Sequence, residues 1–116
     1  MTWYNVYIGS LEDPDFQWEG GDPSGNIPHP LTPEFPDPWK DFFEVVRRIE
    51  AGIYEGKRVD FDGWVAKLDK QQIQDFLDDR CAAAPGRSSS ERTAELRKAI
   101  DALDPNKLYA LVAAAT

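Results

Sequence analysis

A single cysteine, a single histidine and a single methionine stand in this chain of 116 residues. Cys81 has no second thiol to pair with, so no internal disulfide is expected and a reducing compartment suits it. There is no CxxC, no HExxH and no cluster of His and Cys, so neither a zinc site nor any other metal or cofactor is expected. No apolar run approaches the roughly 18 to 20 residues that span a bilayer. The stretch MTWYNVYIGSLED carries no basic n-region and no long apolar h-region, so a secretory signal is not expected and the chain is read as cytoplasmic.

The most informative absence is of positive charge. Residues 1–39 contain no Lys or Arg, yet hold seven acids: Glu12, Asp13, Asp15, Glu19, Asp22, Glu34 and Asp37. Residues 40–116 carry fourteen acids against thirteen bases, so nearly all of the net charge of −8 belongs to the N-terminal third. Such a surface repels phosphate backbones and anionic membranes, and excludes direct binding to nucleic acid as an expectation. Its natural complement is a basic protein surface.

The apolar pattern outlines one domain over residues 1–116. TWYNVYIG alternates aromatic and β-branched types and predicts a first strand. Between it and Asp37, prolines 14, 23, 28, 30, 33 and 36 remove donors and favour extended backbone, which predicts a long irregular loop over 10–37. The intervals of Phe16, Trp18, Ile27, Leu31 and Phe35 suit a loop pinned over the sheet by its own apolar groups. Asp37-Pro38 opens a helix whose stripe is Trp39, Phe42, Phe43, Val46, Ile49 and Ile53, with Gly56 at its end. Residues 57–68 read as one strand bent at Gly63. Asp69 and Gln72 have the spacing of a capping box for a second helix, with Ile73, Phe76, Leu77 and Cys81 inward. Ser88 and Glu91 suggest another box for a third, with Leu96, Ile100 and Leu103 inward. The closing DPNKLYALVAAAT reads as a strand, although alanine also favours helix. The expected fold is α+β: a small, about three-stranded, mostly antiparallel sheet, three helices packed on one face, and the long Pro-rich N-terminal loop.

Chemistry is harder to find. His29, between two prolines, has no recognisable orienting partner for catalysis. Cys81 near a helix C-terminus is placed to be a small core residue, not a nucleophile. Asp13, Asp15 and Glu19, or Asp60 and Asp62, do not match the ligand order of a calcium loop. GGDPSG lacks the Gly-Lys-Ser/Thr ending of a phosphate loop. Trp39 and Trp64 are expected in the core. Trp18, flanked by acids, suits either docking into an apolar pocket rimmed with Lys and Arg, or stapling the loop to the body.

The expectation is therefore a small acidic protein without enzymatic activity. It would be an inhibitor, an immunity-type protein or an adaptor. It would dock on a basic partner, such as a nucleic-acid-binding protein or nuclease, through Asp13, Asp15, Phe16, Trp18, Glu19, Asp22 and Glu34. Two alternatives stay open. One is a small-molecule binder or minor enzyme with a pocket lined by Trp3, Tyr7, Trp18 and Trp64. The other is a homo-oligomeric structural protein, a homodimer among the options.

Overall fold

The computed structural model describes residues 3–12, 28–60, 63–84, 86 and 90–115. Its elements run β1 (Tyr4–Ser10), α1 (Pro38–Glu50), β2 (Glu55–Asp60), β3 (Gly63–Asp69), α2 (Lys70–Ala83), α3 (Glu91–Asp101) and β4 (Leu108–Ala115). The four strands form one sheet in the order β1-β4-β3-β2. Every neighbouring pair is antiparallel. The α+β architecture is as expected, but the sheet has four strands where the sequence suggested about three. The stretch read as one bent strand is a hairpin: Gly63 pairs with Asp60, and the register slips between Arg58 and Asp60. Asp62-Gly63 is a reversal signal that the apolar pattern on either side obscured.

Side-chain alternation sorts the sheet into two faces. On one face, Val6, Ile8, Ala66, Leu68, Tyr109, Leu111 and Ala113 share a core with Phe42 and Val45 of α1, Ile73, Phe76 and Leu77 of α2, and Leu96 and Ile100 of α3. The other face forms a second buried cluster of Tyr7, Val59, Val65, Ala110, Val112 and Ala114, with no helix residue in it. Among the described residues, no helix is long and apolar enough to cross a membrane.

Helix ends follow local chemistry. Asp69 accepts from the Gln72 N–H while the Gln72 side chain accepts from the Asp69 N–H, the reciprocal box read from the sequence. Asp37 stands at the N-cap of α1 but its side chain makes no capping hydrogen bond; Pro38 starts the helix. The cap of α3 is Ser90, which accepts from the Arg92 N–H, not Ser88, which lies outside the described residues. Helix α1 stops at Glu50, short of Gly56. Gly52 takes a positive φ of 78°, and the N–H groups of Gly52 and Ile53 close back on the carbonyls of Ile49 and Arg48. Gly56 instead lies in β2.

Strand order leaves β1 at the sheet edge, yet its outer side is occupied by the end of the proline-rich segment. Leu31 N–H donates to the Ile8 carbonyl at 2.7 Å, and Phe35 N–H to the Val6 carbonyl at 2.8 Å. The Thr32 hydroxyl accepts from Ile8 N–H at 3.2 Å, and Pro30 lies opposite Gly9. The Tyr7 hydroxyl donates to the Pro28 carbonyl at 2.7 Å. An edge is where prolines are tolerated, because the donors they lack would face outward, and such a run is a poor template for a further strand. The loop was expected over the sheet; its described part lies along the sheet's edge. Phe35, fully buried against Phe76 with ring centroids 5.4 Å apart, pins it there.

Gly9 lets this limb approach. A Cβ there would stand 2.7 Å from Pro28 Cβ and 3.0 Å from the His29 carbonyl oxygen. Gly9→Ala is therefore expected to destabilise the fold by about 1–3 kcal/mol, read as a lower urea midpoint. The opposite sign is expected at Thr93, whose hydroxyl is buried with no hydrogen-bond partner among the described residues. Thr93→Val should raise stability by about 1 kcal/mol in the same titration.

Candidate protein-binding surface

Of the residues singled out from sequence for partner binding, Asp13, Asp15, Phe16, Trp18, Glu19 and Asp22 lie outside the described residues. Glu34 is described. It is exposed on the limb beside β1, with its Oε1 3.0 Å from the carboxamide nitrogen of Asn5. Glu12 is exposed just past the end of β1, and Asp37 stands at the entrance to α1. The described acids of the N-terminal third thus sit on segments tied to the sheet edge or to the first helix.

Of the residues expected to line an aromatic pocket between sheet and loop, Trp18 lies outside the described residues and the other three are not brought together. Tyr7 is buried in the second cluster, whereas Trp64 packs against the first, on the opposite face. Trp3 is 66% exposed. Among the described residues no group of His, Cys, Asp and Glu is arranged to hold a metal ion.

A different aromatic surface is present. Trp39 and Phe43, expected in the core, are 56% and 50% exposed. Their rings meet edge to face at 6.0 Å between centroids, and Phe43 continues to Tyr4 at 5.7 Å and Phe42 at 5.3 Å. At about 100° per residue, the side of α1 that enters the core is turned roughly 60° from the side its apolar residues define. Asp41, Phe42 and Val45 are the buried residues of the helix.

The cause is a tertiary ion pair. Asp41 is 0% exposed, and its Oδ1 accepts from Arg80 Nε of α2 at 2.8 Å. A buried carboxylate needs such a partner. One turn further, Glu44 accepts from Arg47 and Arg48, at 2.6 and 2.8 Å for the closest contacts. Arg48 also donates to the Tyr54 hydroxyl at 2.7 Å and to Asp79 of α2 at 3.2 Å. Its guanidinium lies 5.1 Å from the Phe76 ring centroid and 5.5 Å from that of Tyr54, within range of a cation–π contact. Burial lifts the Tyr54 phenol above its ordinary pKa despite the Arg48 hydrogen bond.

Trp39, Lys40, Phe43, Glu44, Arg47 and Arg80 together line a shallow depression of about 310 Å³. Trp and Arg are the residue types that most often dominate binding energy, and an exposed cluster of them is unusual without a purpose. Sequence reading missed this surface because its stripe took Trp39 and Phe43 as inward and left out Val45, which is fully buried. The signal present was Asp41 among those residues, with Arg80 as its only in-reach cation on α2 after the first turn. Comparison with protein-family models, with curated proteins and with solved structures finds no match.

The Glu44 cluster has a pH signature. The hydrogen bond from Arg47, opposed by burial and reinforced by Arg48, holds the Glu44 carboxyl down at about 2, from an ordinary 4.5. A depressed carboxylate stabilises the fold fully above its unfolded pKa and loses that contribution as pH falls toward its folded one. Stability should therefore decline between about pH 4.5 and 2 through this group, and Glu44→Gln should flatten that part of a plot of urea midpoint against pH. An unchanged slope in the variant would refute the assignment.

Proposed function

We propose that this chain is a small, acidic, non-enzymatic protein-binding module, of the inhibitor, immunity or adaptor type, that docks on a basic partner through its N-terminal third. The observation that carries this reading is the anchoring of the acidic segment's end. Seven acids and no base fall in residues 1–39. The last stretch of them, through Glu34 and Asp37, is hydrogen-bonded to β1 and runs directly into α1. Carboxylates on a fixed support bind with a smaller ordering cost than the same groups on a free tail.

Charge of this kind acts first on encounter. It steers an oppositely charged surface inward and raises the association rate at low salt, while apolar anchors set the lifetime of the complex. Phe16 and Trp18 are the anchors this reading assigns within the acidic run, with Asp13, Asp15, Glu19, Asp22 and Glu34 around them. The lone thiol of Cys81, buried and unpaired, supports a cytoplasmic setting.

Affinity capture from native cell extract tests the reading. A basic protein should be retained at low salt and released as salt rises. A variant combining Asp13→Asn, Asp15→Asn, Glu19→Gln, Asp22→Asn and Glu34→Gln should lose that protein while its melting curve stays cooperative. Undiminished capture by the neutralised variant would overturn the proposal.

A further inference from the structure

We propose that the depression on the outer flank of α1 is a second docking site, and that its occupant is an acidic segment of a partner protein bearing an aromatic or aliphatic side chain. None of the residues lining this surface is an acid of the N-terminal third, and its cations outnumber its acids. Among the described residues its lining holds Lys40, Arg47 and Arg80 against Glu44, with Asp41 buried beneath Arg80, a local excess of positive charge on a chain whose net charge is −8. The site is a cationic island on an acidic molecule, and charge complementarity selects an anionic ligand. Exposed Trp39 and Phe43 form its floor and select an apolar side chain.

The cations are held ready. Arg80 reaches buried Asp41 through Nε alone, and among the described residues its terminal nitrogens make no hydrogen bond. Arg47 is fixed by two hydrogen bonds to Glu44, from Nε at 3.2 Å and from Nη2 at 2.6 Å. A guanidinium already fixed in place loses less freedom when a carboxylate arrives, and its planar fork matches two carboxylate oxygens. The depression is too open to enclose a small molecule. Its mix of Trp, Phe and Arg on a helix flank is that of a peptide-binding patch. The chain would then join a basic partner on one side to an acidic one on the other.

The test uses the full chain and a fluorescein-labelled synthetic peptide of alternating Asp and Phe, read by fluorescence polarisation and by Trp quenching. The wild type should bind it in a salt-sensitive manner. Trp39→Ala should weaken binding by about tenfold or more, as expected for an anchor residue. The pair Lys40→Glu and Arg47→Glu should do the same. Trp39 and Lys40 are exposed, so these variants are expected to fold, and an unchanged melting curve verifies that. Three results would overturn the inference: equal binding by the variants, equal binding of a peptide with Asn in place of Asp, or concentration-dependent self-association that Trp39→Ala abolishes while the peptide fails to compete. Trp39→Ala leaves all seven N-terminal acids in place, so capture of the basic partner through them is expected to persist, and failure here leaves the function proposed above to its own test.

Discussion

Asp41 enters the interior of this protein with its charge, and it does so because Arg80 meets it there. Most of what distinguishes the helical layer follows from that pair. A carboxylate without a partner at 0% exposure would force α1 to turn until the group reached water. With Arg80 supplied from α2, the helix can instead present Asp41, Phe42 and Val45 inward. The cost is displaced onto the flank, where Trp39 and Phe43 lose their place in the core and face solvent.

Arg48 secures the same arrangement about two turns later. It joins Glu44 of its own helix, Asp79 of α2 and the Tyr54 hydroxyl beyond the helix end, and lies against the Phe76 ring. Its stem and guanidinium therefore tie α1 to α2 and to the approach to β2 at once. On the other side of the molecule the constraint is backbone pairing. β4 is central, between β1 and β3, so both ends of the sequence meet in one ladder. The edge this creates is closed by the limb from Pro28 to Phe35, which is how a proline-rich run becomes part of a folded domain.

The sequence made the class and most elements legible, and the reasons are local. Alternation over Tyr4–Ile8, the Asp69–Gln72 box and the inward Ile73, Phe76, Leu77 and Cys81 are all signals within one turn or one strand, and all are found in place. The closing strand was ambiguous by propensity, but it pairs on both sides as a central strand should. What failed was non-local. The hairpin between β2 and β3 was merged because Val59, Phe61 and Trp64 suggested one strand, with Gly63 taken as a bend within it and not as the start of a second strand. The rotation of α1 depends on an arginine 39 positions away. The edge role of the limb depends on bonds to Val6 and Ile8 that no pattern within residues 28–35 reveals. Of the candidate site, the acidic bias was visible at once, and the aromatic flank was not.

The layout of charge links these parts. All thirteen bases lie at or beyond residue 40, so any cation that met the N-terminal acids would have to come across a tertiary contact. Four arginines of the helices are already engaged nearer home: Arg47 and Arg48 with Glu44, Arg48 also with Asp79, Arg80 with Asp41, and Arg97 with Asp78. These acids come from the same, nearly balanced part of the chain. Each arginine spent on a helical carboxylate is one fewer to meet the acids of the N-terminal third, and the pairs that join α1 to α2 stiffen the frame into which the limb of residues 28–37 runs. Structural ion pairing in the helices and the acidic bias of residues 1–39 are thus two consequences of one distribution of residues. Glu12, Glu34 and Asp37 are the described acids of that third, and they stand at the end of β1, on the limb bonded to β1 and at the entrance to α1.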